Sequence, residues 1–277
     1  MGDANTSSYV FPASFAQQRL WFLDQLEPGS PFYNLPQVIS IKGELNIDAL
    51  LRTLNEIVNR HEALRTTFSS GPEGTTQVIA KALTLTIPVD DLTALPLSDH
   101  EQAISNVARE EARLPFDLST GPLLRARLLV FDSNNHVLFL TMHHIVSDGW
   151  SLGVLFRELA VIYEAFASGK SSPLPLLPIQ YADFTVWQRE VLQGPALQSQ
   201  IDYWKAQLSG APPVLELPAD RARPAIQEFH GAQGVRYLPQ SLTQKLKVVS
   251  AEHSVTLFMT LLAAFKVLLC RYTNQLD

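Results

Sequence analysis

At 277 residues, 46% hydrophobic and 17% charged, the chain has a globular composition and a core large enough to need no disulfide or metal staple. A net charge of −6 argues against nucleic acid or an anionic membrane as the main partner, and a single cysteine excludes an internal disulfide framework. The start is polar and no apolar run approaches membrane-spanning length, so a cytoplasmic protein of one large domain or two lobes is expected. Cys270 lies in an apolar run, Val267-Leu268-Leu269, and reads as a core thiol rather than a nucleophile.

Taken in order, Ser14 is a candidate N-cap for a helix ended by Pro28-Gly29, with Phe15, Leu20, Phe22, Leu23 and Leu26 toward a core. Arg19 is either a solvated charge or a buried partner. Val38, Ile39 and Ile41 read as a strand. Ile47, Leu50, Leu51, Leu54, Ile57 and Val58 recur at helical spacing, and that helix continues into Arg60-His61-Glu62. The segments 64–68 and 75–79, joined at Gly71-Pro72-Glu73-Gly74, form a predicted hairpin. Ser98-Asp99 caps a helix through Arg113. Leu123–Phe131 and Val137–Thr141 pair through the turn Asp132-Ser133-Asn134-Asn135.

The second of these strands leads into Met142-His143-His144-Ile145-Val146-Ser147-Asp148-Gly149-Trp150-Ser151. Beyond it, Leu152, Leu155, Phe156, Leu159, Ile162 and Tyr163 recur at helical spacing. Two histidines and an aspartate therefore sit at a strand-to-helix corner, where a rigid scaffold can hold side chains over a cleft. A histidine there can exchange a proton near neutral pH, Asp148 can orient a ring or pair with a cation, and Gly149 allows close backbone approach or a positive φ.

From Gly169 to Pro178 the composition shifts to Gly, Ser, Pro and Leu, which marks a linker and a lobe boundary: 1–175, then 176–277. Helices follow at 180–192 and 196–208, then a loop at 210–224, a strand at 229–238, and helices at 240–253 and 256–272. Elements of both types, some strands in hairpins, give an α+β or mixed α/β fold.

Paired histidines can also mean metal. Adjacent strand residues point to opposite faces, however, and the usual ligand spacings are absent, so no metal is expected. Ser147 and Ser151 lie in no Gly-x-Ser-x-Gly elbow. The bland alternative is a histidine pair satisfied by core hydrogen bonds. The opposing directions otherwise imply a division of labour, one ring in the cleft and one buried. Arg60-His61-Glu62 and Arg65 are either a solvated helix end or a source of an arginine that crosses to Asp148. Tyr181-Ala182-Asp183-Phe184 and Trp187 form an aromatic helix face.

Four of these stretches, in order, resemble motifs of the condensation domains of nonribosomal peptide synthetases. They are 14–23, 60–68, the His-His-x-x-x-Asp-Gly segment within 142–151, and 181–187. The resemblance implies a chloramphenicol acetyltransferase-like fold of two lobes in a V, and amide-bond formation. A donor aminoacyl or peptidyl thioester on one carrier protein is attacked by the amine of an aminoacyl thioester on the next. It implies His144 as general base or as the group that positions the amine and stabilises charge, with His143 supporting the corner. Asp148 would be structural and paired with Arg65, Arg60 and Arg19 would support the site, and the Gly149 amide would lie near the oxyanion. Trp150 and Ser151 are expected to touch substrate.

No cofactor is expected to bind directly, because substrates ride on the 4′-phosphopantetheine of carrier proteins. Donor and acceptor carrier domains and a neighbouring adenylation domain are the implied partners. The intact histidine pair argues against a heterocyclization domain, and 30–34 with the segment around Arg60 resembles the subtype joining two L-residues. An epimerization domain, a CoA-dependent acyltransferase and a carrier-docking lobe without turnover stay open. The family's domain is longer, so the second lobe is expected to be incomplete, and a truncated fragment is expected.

Overall fold

The computed structural model describes residues 8–71, 74–222 and 234–276. The chain divides into two compact units, 1–194 and 195–277.

In the first unit, a three-stranded antiparallel sheet has the order β1-β4-β3, from β1 (Tyr9–Pro12), β3 (Thr66–Gly71) and β4 (Gly74–Ile79). A four-stranded sheet has the order β2-β7-β6-β5, from β2 (Asn34–Lys42), β5 (Val89–Asp91), β6 (Leu124–Asp132) and β7 (Asn135–His143). Its pairings are antiparallel except for β5 on β6. β7 is central and apolar on both faces. Leu138, Leu140 and Met142 join one cluster with α2 (Ile47–Arg60) and α4 (Gly149–Ala167) through Leu50, Leu54, Ile57 and Leu155. Val137 and Phe139 join another against α3 (His100–Arg113) through Ile104 and Val107. Two-sided burial explains why β7 reads as a continuous apolar run rather than an alternation.

α1 (Phe15–Leu26) begins at Ser14, whose hydroxyl accepts from the Gln17 N–H while Gln17 accepts the Ser14 N–H, a closed capping box. Its core face differs from the expected one. Leu20 and Trp21 are buried, whereas Phe15, Phe22 and Leu26 are exposed. α2 ends at Arg60, one residue short of His61, and a single 3₁₀ turn, Glu62–Arg65, leads into β3. β1 and β5 are the strands the sequence did not announce. Each has only three or four residues and takes its register from a longer neighbour.

The first unit extends past the expected boundary at residue 175. The stretch 170–180 has no regular secondary structure, as a linker would. It is pinned down all the same: Arg60 donates to the Pro175 carbonyl, and Gln180 bonds both the Arg60 carbonyl and the Glu62 N–H. α5 (Tyr181–Val191) then docks on the three-stranded sheet, with Thr185 buried beside Gln77.

In the second unit, α6 (Gly194–Gln207) is followed by α7 (Gln240–Glu252) and α8 (Leu257–Thr273), and the latter two meet through Ser250 and Thr260, 2.7 Å apart. Cys270 is half-buried on α8. The strand expected at 229–238 lies partly outside the described residues, and its described part, 234–238, carries no regular secondary structure. Among the described residues no single helix is long and apolar enough to cross a membrane.

Candidate active site

The corner after β7 is fixed by backbone first. The β2–β7 ladder ends at Asn34 opposite His143, and the His144 N–H carries it one step further by donating to the Tyr33 carbonyl at 2.8 Å. With the ladder still imposing strand alternation, His143 and His144 point to opposite faces. His143 is buried. Its ring makes edge contacts with Tyr33 and Phe116 at centroid distances of 6.2 and 6.1 Å. His144 is exposed and shares its face with Met142.

The two imidazoles have different hydrogen bonds. His143 Nδ1 accepts from the Ile145 N–H at 3.1 Å, so that nitrogen carries no proton. Burial, reinforced by the neighbouring His144, pushes the His143 pKa down to about 4, so the ring stays neutral. His144 Nδ1 lies 2.7 Å from the Ser147 carbonyl oxygen, which can only accept. The His144 proton is therefore on Nδ1, and in the neutral ring Nε2 is a free base.

Asp148 is the N-cap of α4. Its carboxylate accepts from the Ser151 N–H at 2.8 Å and its own N–H donates to Ser151 Oγ at 2.7 Å. The Ser151 bond is the main cause holding the Asp148 pKa below the usual carboxylate range. The expected Asp148–Arg65 ion pair does not form. Arg65 is turned the other way, donating to the Ala80 carbonyl and pairing with Glu62 at 3.1 Å, and its Nε is buried without a partner among the described residues. The cap consumes the Asp148 carboxylate locally, and Glu62 sits one turn from Arg65, so neither charge needs the longer reach.

Arg60 does not cross to Asp148 either, but holds Glu158 of α4 at 3.1 Å. Ser151 was expected to contact substrate, and its hydroxyl is committed to the cap. Gly149 does not adopt a positive φ. It opens α4, with nothing within 4 Å of the space a side chain would fill. Its N–H is one of the first-turn donors that an α-helix leaves without an internal acceptor.

His144 faces a cavity of about 510 Å³ within the first unit. All four sequence stretches reach it: Gln17 and Arg19 from α1, His61 and Leu64 from the α2–β3 junction, His144 to Asp148 with Trp150 and Ser151 from the corner, and Tyr181 from α5. Ile57, Leu155, Leu177 and Ile179 make much of the wall apolar. Arg19 lines the cavity without an ion pair to another described residue. Trp150 stands 83% exposed beside it.

Behind the cavity a buried amide relay ties α1, β1, β4 and α5 to the corner. Gln17 donates to Gln77 at 3.3 Å and approaches the Ile145 carbonyl at 3.5 Å, while Gln77 donates to the Pro12 carbonyl at 3.0 Å and to Thr185 Oγ1 at 3.3 Å. Sequence reasoning missed Gln77 and Glu158. A lone polar residue in a short strand and a charge on an amphipathic helix both read as solvated, and only tertiary packing buries them. Tyr33 entered only through the subtype resemblance of 30–34, not as a neighbour of the histidine corner.

A profile of the condensation domain matches residues 7–277. The chain is 49% identical over 266 residues to a linear gramicidin synthase of Brevibacillus parabrevis, covering 96% of this chain and 3% of that protein. It is 44% identical over 266 residues to the phosphinothricin tripeptide synthetase PhsC of Streptomyces viridochromogenes, covering 96% of this chain and 24% of that one. Among solved structures it is similar to the X-domain in its complex with OxyB from teicoplanin biosynthesis, with 29% identity and a TM-score of 0.79. That match covers 98% of this chain and 60% of the other. It also matches a four-domain nonribosomal peptide synthetase bound to AMP and glycine, with a TM-score of 0.81 and 24% identity, over 99% of this chain and 20% of that one. The chain thus spans a small part of the curated relatives it matches.

Proposed function

The chain belongs to the condensation domain family and has its chloramphenicol acetyltransferase-like α+β fold, and from that premise we propose that the cavity is an amide-bond-forming site. The observation that carries this is the His144 ring. It is oriented by the Ser147 carbonyl, with an unprotonated Nε2 in a cavity that the strand-to-helix corner and three other segments share.

In this reading the amine of an acceptor aminoacyl group attacks the carbonyl carbon of a donor thioester. The amine proton passes to His144 Nε2, the tetrahedral intermediate collapses, and the carrier thiolate leaves and recovers that proton from the imidazolium. The new amide stays on the acceptor carrier. Backbone N–H groups at the start of α4, Gly149 among them, supply donors for charge that develops on the carbonyl oxygen. Holding two tethered reactants in one cavity supplies much of the remaining acceleration. The mainly apolar walls and the exposed Trp150 suit acyl arms presented on phosphopantetheine by donor and acceptor carrier domains. The four-domain structural relative and the long synthetase relatives support an adenylation domain as a neighbour in the chain.

The test is condensation by this chain with loaded donor and acceptor carrier proteins, read by mass spectrometry of the dipeptidyl carrier. Product that vanishes in His144→Ala supports the reading. Unchanged product in that variant overturns the role of His144, and no product from the intact chain, with binding of both carriers retained, favours a docking lobe.

A further inference from the structure

The cavity contains a second oriented imidazole. His61 follows the last residue of α2, one turn beyond Ile57, and both line the cavity. Its Nε2 lies 2.7 Å from Glu158 Oε2, and the other oxygen of Glu158 takes Arg60 Nε at 3.1 Å. The Glu158 and Arg60 side chains are only 12% and 11% exposed, so the carboxylate that steers the ring is itself fixed. A carboxylate only accepts. In the neutral ring the proton is therefore on Nε2, and Nδ1 is left as an acceptor. Nδ1 makes no hydrogen bond to another described residue.

His61 and His144 are thus counterparts. Each has one nitrogen tied down as a donor, by Glu158 and by the Ser147 carbonyl, and one nitrogen left to accept. A helix end needs no such device. His61 caps α2 through its backbone N–H, which donates to the Ile57 carbonyl at 3.0 Å, and the ring is not required for it. Ile57, Leu64 and Leu155 line the same cavity, and Gln180, the polar lining residue bonded to Arg60 and Glu62 on either side of His61, has its amide committed to their backbone.

We propose that His61 contacts substrate, accepting at Nδ1 a hydrogen bond from an N–H of the carrier-borne substrate, with Glu158 as its positioning residue. This rests on the acyl-transfer reading of the cavity. The N–H belongs either to the amino group of an aminoacyl substrate or to an amide of the thiol arm, and both present the same donor chemistry.

Two probes separate the sources: the N-acetylcysteamine thioesters of glycine, which has amine and arm amide, and of acetate, which has the amide alone. The chain labelled with ¹⁵N-histidine is titrated with each, and the His61 and His144 resonances are assigned from His61→Gln and His144→Ala. The expected result is a shift of the His61 Nδ1 resonance that saturates together with the response at His144. A shift with both probes assigns the arm amide, and one with the glycyl probe alone assigns the amine. His61→Lys keeps a donor for Glu158 and carries no acceptor in place of Nδ1. It is expected to keep the thermal midpoint and to weaken probe binding about three- to tenfold, the loss of one hydrogen bond. A response at His144 with none at His61, or undiminished affinity in His61→Lys, overturns the inference and leaves the acyl-transfer reading standing. Silence at both rings at saturating probe overturns the two together.

Discussion

His143 and His144, adjacent in sequence, hold their ring protons on opposite nitrogens. His143 Nδ1 accepts from the Ile145 N–H, and His144 Nδ1 donates to the Ser147 carbonyl. The first ring is thereby built into the corner as an acceptor, and the second is offered to the cavity as a base. Replacing them should separate the two roles. His144→Ala is expected to leave the thermal midpoint nearly unchanged and to lower condensation at least 100-fold, in the range that a positioned general base contributes. His143→Ala is expected to lower the midpoint as well, because it leaves the Ile145 N–H without its acceptor and opens a gap against Phe116. Paired melting curves and turnover assays check both.

The depressed pKa of His143 makes a prediction about acid. With a folded-state value of about 4 against the usual 6.5, the unfolded chain binds a proton here before the native one does. Stability from this residue is complete above pH 6.5 and falls as pH drops toward 4. The loss amounts to on the order of 3 kcal/mol across that window. Urea midpoints measured at half-unit pH steps should show this slope in the wild type and a shallower one in His143→Gln.

Asp148 acts as a helix cap rather than as the partner of Arg65. Asp148→Ala should cost about 1 kcal/mol, and Asp148→Asn, which can still accept from Ser151, only a few tenths. A double-mutant cycle with Arg65→Met should give a coupling below about 0.5 kcal/mol, as for sites that share no partner. A coupling of several times that would restore the ion pair.

Arg60 joins the α2 end to α4 and to the strap at Pro175. Arg60→Met leaves Glu158 nearly buried with His61 as its one remaining partner among the described residues and frees the Pro175 carbonyl. Removing one member of a buried pair typically costs about 3 kcal/mol. Faster amide exchange across 174–180, measured by mass spectrometry, should accompany the lower stability.

Much of this was legible in the residues. Ser14 and Asp148 sit where capping side chains are wanted, α2 follows its apolar period, and the β6–β7 hairpin is bracketed by turn residues. The opposite facing of the two histidines followed from strand alternation alone. What escaped were choices between partners. The i,i+3 spacing of Glu62 and Arg65 is a local cue that was outweighed by the resemblance, whereas the bond from Arg65 to the Ala80 carbonyl exists only once the chain is folded. Phe15, Phe22 and Leu26 were expected inside because hydrophobic character was taken for direction, while α1 in fact buries Leu20, Trp21 and Gln17. The strap at 170–180 has a linker's composition, and it belongs to the first unit because Arg60 and Gln180 supply bonds that composition does not encode.

The ladder that runs from Asn34–His143 to the Tyr33 carbonyl limits which length changes this chain can tolerate. A residue added at the Ser133-Asn134 turn lies outside the pairing and can bulge into solvent. One added between Val137 and Met142 reverses the facing of everything after it, turning His143 toward the cavity and burying His144 against Phe116. Single insertions there should abolish condensation even where the protein still folds, whereas a two-residue insertion could restore the facing at the cost of a displaced corner.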